Sequence, residues 1–217
     1  MLRSRFEKDL DDLNSDIIRL GGLVERTVGQ SFDALVSQDT GEVESVNADG
    51  KEMNKLAARI ENEALRVILR HQPIAGDLRA ISAGLRMVAD LERIGDQARD
   101  ICSIVLHLCD EEHMIKPELI TQMAAKTRIM VNMCISSFMR QDVNLAKKAA
   151  EIDDEVDTLF ASFKESMIQL ISGQPECADQ AIYLMMAAKY LEKIADHAEN
   201  IAGWVVFAQT GEKTQLQ

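Results

Sequence analysis

Apolar side chains recur in alternating steps of four and three along most of this 217-residue chain. Phe6, Leu10, Leu13, Ile17, Leu20 and Val24 set the pattern, and Val28, Phe32 and Leu35 carry it on until it stops near Gln38–Gly41. That spacing places every apolar residue on one stripe of an α-helix, and Ser4-Arg-Phe-Glu7 at its start has the form of a capping box. A second helix is predicted from about Glu42 to His71, with Val43, Val46, Met53, Leu56, Ile60, Ala64 and Val67 on its stripe. Pro73 ends it, because proline cannot donate the next helical hydrogen bond. A third begins near Asp77 and carries Leu78, Ile81, Leu85, Val88, Leu91, Ile94, Ala98, Ile101, Val105 and Leu108. At about 1.5 Å per residue it would be about 50 Å long. Helices of such length with short connections predict a bundle.

The polar stretch Asp110 to Lys116 marks a boundary, Pro117 suits the first turn of a fourth helix, and the series then restarts. Ser137-Phe138 and Gln141-Asp142 echo Ser31-Phe32 and Gln38-Asp39; Gln174-Pro175 echoes Gln72-Pro73; Asp179 echoes Asp77. The plainest echo closes both sets. Leu91 to Ile101 reads LERIGDQARDI, Leu191 to Ile201 reads LEKIADHAENI, and six of the eleven positions are identical. The expected fold is all-α: six long helices forming two homologous antiparallel three-helix bundles, residues 1–112 and 113–217. The helices are too long and the repeats too few for a solenoid.

Both echoes place two carboxylates four residues apart, Glu92/Asp96 and Glu192/Asp196. Residues i and i+4 stack one turn apart on one helix face, where like charges cost a few tenths of a kcal/mol. With Leu85 as the reference direction, Glu92 and Asp96 lie about 20° to either side. Met185 and Ala188 stand likewise above Glu192 and Asp196. A bound cation would justify the duplication; the alternative is a solvated acidic face where the apolar stripe changes sides. Hard cations take several oxygen ligands, and iron or manganese accepts carboxylate-rich sites.

Composition narrows the classes further. A net charge of −12 argues against a nucleic-acid binder, which needs Lys and Arg to neutralise phosphates, and fits cation binding or a basic protein partner. No run approaches eighteen apolar residues, so no membrane span is expected, and the polar N-terminus lacks a secretory core. Cys102, Cys109, Cys134 and Cys177 have no paired spacing and are expected as reduced thiols of a cytoplasmic protein, with Cys102 and Cys109 packed in the core. His197 points about 100° away from Asp196 and is expected to serve packing or surface; His71, His107 and His113 fall near helix ends. Trp204 is expected as a core or interface anchor.

The chain resembles the PhoU family along nearly its whole length. Carrying that resemblance are Pro73-Ile-Ala-Gly-Asp77-Leu-Arg79, Asp90-Leu-Glu-Arg-Ile-Gly-Asp96, and the run from Lys189 through Asn200-Ile-Ala-Gly-Trp204 to Thr210-Gly-Glu212, in that order and duplicated. It implies six helices in two bundles, and an adaptor that contacts the ATPase of a phosphate ABC transporter and a sensor histidine kinase to hold the phosphate-starvation response off. It also implies a homodimer, and multinuclear metal sites built from paired Glu/Asp-xxx-Asp motifs that hold iron, manganese, zinc or magnesium. In the second half the family's second Asp-xxx-Asp is present as Asp153 and Asp157, which with Glu192 and Asp196 offers four carboxylates from two facing helices. In the first half Gly50 and Asn54 stand where the second Asp-xxx-Asp belongs, which leaves Glu92 and Asp96; neither Asp49 nor Glu52 fits the spacing. Asp100 and Asn200 are second-rank ligand candidates, and Gly203 stands where the family often has Glu.

Two other readings compete. A carboxylate-bridged di-iron enzyme or metal-storage protein needs Glu-x-x-His on two helices, but Gly95 and Ala195 stand three residues after Glu92 and Glu192. No phosphate loop, nucleophile elbow or zincin motif appears, so no catalytic residue is expected. A purely structural scaffold accounts for the apolar seams and leaves the repeated carboxylates unexplained.

Overall fold

The computed structural model of the chain describes residues 2–109 and 118–212. Among them are six α-helices, α1 (Leu2–Ser37), α2 (Val43–His71), α3 (Gly76–Leu108), α4 (Glu118–Arg140), α5 (Val143–Gly173) and α6 (Ala178–Thr210), with one 3₁₀ turn at Pro175–Cys177 and no strand. The apolar stripes read from the sequence are the buried ones: Leu13, Ile17, Leu20, Val24, Val28, Phe32 and Leu35 on α1 all lie in the core, as do Ile81 through Leu108 on α3 except the half-buried Leu85. Three details differ. Leu78 is 42% exposed, because it sits in the first turn of α3 at the open end of the bundle, beside the exposed Ile74. α1 begins at Leu2, so Ser4 lies inside the first turn instead of capping it. Cys109 caps the end of α3, half-buried, while Cys102 packs with Val43 and Val46. The boundary segment 110–116, His113 and Pro117 lie outside the described residues.

The duplication extends to the turns. Gln38 and Gln141, which end the first helix of each half, both adopt left-handed backbone, with φ of 55° and 53°. Ser31 and Ser137, both buried, each donate to the carbonyl three residues back, Val28 O at 3.0 Å and Cys134 O at 2.7 Å. Asp142 caps α5 by accepting from the Asn144 and Leu145 amides, satisfying two of the donors a helix start leaves open.

Within each half the three helices pack mutually, and the halves join along α3 and α6 and, more lightly, α1 and α4. One continuous apolar core runs through all six helices. α3 and α6 are antiparallel: Arg79 Nε donates to Ala208 O at one end, and the His107 and Tyr183 rings stack 5.0 Å apart at the other. Between these ends Asp90 accepts from Trp204 Nε1 (3.1 Å) and pairs with His197 Nδ1 (2.9 Å). Arg86 lies 5.9 Å over the Trp204 ring. Trp204 is therefore an anchor between the halves, and His197 its companion. The approach of α1 to α4 is close enough that a side chain at Gly21 would meet Ile135 at 2.9 Å.

Ion pairs tie α1 to α2 along their length. Arg19 reaches Glu52, Arg26 holds Asp49 through two bonds of 2.7 Å, and Asp16 takes Arg59. At the open end Asp9 binds both Arg70 and His71, whose side chain is 8% exposed and tilts against Phe6. His71 is thus a buried strut instead of the ordinary polar terminus its position suggests.

Two outcomes are expected from this frame. Asp90→Ala leaves the His197 and Trp204 donors without their acceptor, a loss of about 1–3 kcal/mol readable by denaturant unfolding. Ala75, at φ 49° and ψ −115°, occupies backbone that a Cβ disfavours, so Ala75→Gly should stabilise the fold by about 1 kcal/mol in the same measurement.

Candidate metal centre

The second-half carboxylates meet across α5 and α6. Asp153, only 4% exposed, points from α5 towards a negative surface. Burial is the first reason its carboxyl group is pushed up to about 7; Glu199, Asp157, Asp196 and Asp154 add to it, in that order. Asp157 is raised by burial and then by Glu192 and Asp196, and Glu199 by burial and then by Asp196, Asp154 and Asp157. Electrostatic repulsion thus links Asp153 and Asp157 of α5 with Glu192, Asp196 and Glu199 of α6, and Asp154 adds to it. Sequence reading passed over Glu199 because the repeat was the guide: its counterpart is Arg99. The available signal was its spacing, three residues beyond Asp196 on the same helix.

Two lysines attend this face. Lys189 Nζ lies 2.6 Å from Glu192 Oε1 and Lys193 pairs with Asp196. Glu192 Oε2 is buried with no hydrogen-bond donor, although Lys193 Nζ stands 3.4 Å away, near enough to attract but not aligned to donate. Among the described residues no three acidic, histidine or cysteine side chains converge tightly enough in this arrangement to surround an ion. The donor set nonetheless suits a hard cation: carboxylates from two facing helices, one oxygen already dry and unpaired. Closing them on an ion requires turning the exposed Asp154 and Asp157 and parting the lysine contacts.

The first half is arranged differently. Glu92 is raised by burial, then by Glu61 and Asp96, with Arg93 opposing. Asp100 is raised by partial desolvation of its carboxyl group and then by Asp96, with Arg99 opposing. Asp49 and Glu52 are taken by Arg26 and Arg19, so neither substitutes for the missing ligands. Arg99 bonds Asp96 and its stem lies over Gly50. Asn54 and Asn200 are exposed at the surface. This half does not fit a metal: its second pair of carboxylates is absent and a guanidinium fills the space. His197 is bound to Asp90, away from either acidic group.

Two repeated helical bundles, joined by an antiparallel pair of helices and bearing an acidic face between α5 and α6, define a duplicated all-α bundle protein. The PhoU domain model matches residues 17–105 and 120–205, and the chain belongs to the PhoU family. It is 34% identical over 211 residues to the phosphate-specific transport system accessory protein PhoU homolog of Aquifex aeolicus, covering 97% of this chain and 95% of the relative. The homolog of the same name from Clostridium acetobutylicum is 30% identical over 100% of this chain and 99% of its own. The crystal structure of PhoU from Pseudomonas aeruginosa superposes with a TM-score of 0.92 at 30% identity, over 95% of this chain and all of that one. The family is one of accessory and regulatory proteins of phosphate transport, not of enzymes.

Asp153 supplies a pH dependence. An aspartate whose folded value is about 7 instead of 3.8 keeps its proton in the folded chain after the unfolded chain has lost it. Stability of the metal-free protein should therefore fall as pH rises from about 4 to about 7 and level off above. Asp153→Asn should flatten that slope in denaturant melts at successive pH values.

Proposed function

We propose that this chain is an accessory regulator of phosphate uptake and of the phosphate-starvation response. It acts by contact, as a metal-binding adaptor in the cytoplasm between the ATPase of a phosphate ABC transporter and a sensor histidine kinase. Supporting this is the correspondence, over essentially the full chain, with proteins named as accessory to phosphate-specific transport. No helix among the described residues is long and apolar enough to cross a membrane, consistent with a protein that visits the transporter instead of forming part of its pore. A homodimer belongs to the same reading.

The metal part rests on one observation: the acidic face between α5 and α6 buries Asp153 and leaves Glu192 Oε2 dry without a hydrogen-bond donor, while neighbouring carboxylates raise Asp153, Asp157 and Glu199. Such mutual repulsion in a partly dry site is costly, and an iron, manganese, zinc or magnesium ion, alone or in a small cluster, offsets it. The bound ion would fix α5 against α6 and so set the shape of the second half that a partner meets.

Deleting the gene should leave phosphate-responsive genes switched on in phosphate-rich medium, and normal repression would contradict the adaptor role. In vitro, chelator-stripped protein should bind manganese, or iron under anaerobic conditions. Glu192→Gln with Asp196→Asn should abolish most of that binding. Equal loss from the corresponding changes at Glu92 and Asp96 would argue against a second-half site.

A further inference from the structure

We propose that Arg99 is the resident cation of the first half, its guanidinium occupying the place that the second half keeps for an ion, so that only one of the two repeats can respond to metal. The inference rests on the metal reading of the second half and adds a role for a residue that reading does not use.

The repeats set residue 99 against residue 50 as they set Glu199 against Asp153. A Cβ at Gly50 would lie 2.4 Å from Arg99 Cδ and 2.8 Å from its Nε, so the arginine can lie there only because position 50 has no side chain. In the other half, Glu199 is the strongest of the negative charges acting on Asp153. Both partners of the pair thus differ together: acid and acid in one repeat, glycine and arginine in the other. A glycine in mid-helix is destabilising relative to alanine, a cost with no benefit unless the space it frees is used. Arg99 uses it. The guanidinium donates to Asp96, and its charge also opposes that of Asp100. Its Nε is buried without an acceptor, an imperfection tolerable where charge, and not a hydrogen-bond count, is what the position requires. Arginine stays protonated under all ordinary conditions, so the positive charge it sets beside Asp96 is permanent. A metal ion would have to expel a covalently tethered cation from a group that lacks two of its four carboxylates.

The test uses the full-length chain, stripped with chelator, in a Glu192→Gln/Asp196→Asn background that silences the second half. With Arg99 intact, Mn²⁺ titrated calorimetrically should give at most weak residual binding that Glu92→Gln/Asp96→Asn does not change. Adding Gly50→Asp, Asn54→Asp and Arg99→Glu rebuilds the second-half pattern in the first, and should restore Mn²⁺ binding. Binding in the silenced background that disappears with Glu92→Gln/Asp96→Asn would overturn the proposal, as would a folded rebuilt variant that binds nothing. Because the rebuilt variant concentrates negative charge and can fail to fold, Arg99→Met in the otherwise native chain gives a second readout. It keeps the apolar stem over Gly50 and removes only the charge. At low salt and without metal its midpoint should fall by about 2–4 °C, less at high salt as screening takes over, with Arg99→Lys recovering part. An unchanged midpoint at both salts also overturns the proposal. Native protein that binds no Mn²⁺ at all removes the second-half metal site alone, and leaves Arg99→Met and the rebuilt variant to decide the role of Arg99.

Discussion

The antiparallel contact of α3 with α6 is the constraint on which everything else in this molecule depends. Each half alone is a three-helix bundle with an apolar stripe left over. Burying that stripe against its own copy merges two small cores into one, and apolar area removed from water is the main stabilising term available to a helical protein. Alanines at 187, 188, 195, 198 and 202, all fully buried, keep α6 slim where other helices press on it. Asp90, His197 and Trp204 then fix the register, since hydrogen bonds are directional where apolar contact is not. That register also places the acidic faces: α3 and α6 each turn one side to the other half and one side, with Glu92/Asp96 or Glu192/Asp196, towards the second helix of their own half.

How much of this was legible in sequence follows from which signals are local. The 3.6-residue periodicity marked the helices, and residues such as Leu20, Ile60 and Ile101 went where it put them. Repetition at an offset near one hundred exposed the two halves and the paired carboxylates. What stayed hidden was of two kinds. Asp90 meets His197 and Trp204 across 107 and 114 residues, and no local pattern announces a partner so far away. Glu199 and Arg99 were hidden because they differ, and a search for identity between repeats discards the positions where the repeats have parted. The difference at 99 and 199 is intelligible only once Gly50 and Asp153 are seen opposite them.

The two halves also differ in how they neutralise acid. Eleven of the thirteen arginines precede residue 110, whereas eight of the eleven lysines follow it. The two cations are not equivalent. A guanidinium is planar, donates in pairs and locks a carboxylate in place, as Arg26 does with Asp49; an ammonium is a mobile point charge on a flexible stem. Arg19, Arg26 and Arg59 staple α1 to α2, and Arg99 closes the first acidic group. The second acidic group is attended by Lys189 and Lys193, each 41–47% exposed, and exposed lysine pairs are worth little. Parting them costs little. The duplicated bundle thereby carries two acidic faces with different counter-ions, a part-buried arginine against Asp96 in the first and half-exposed lysines against Glu192 and Asp196 in the second.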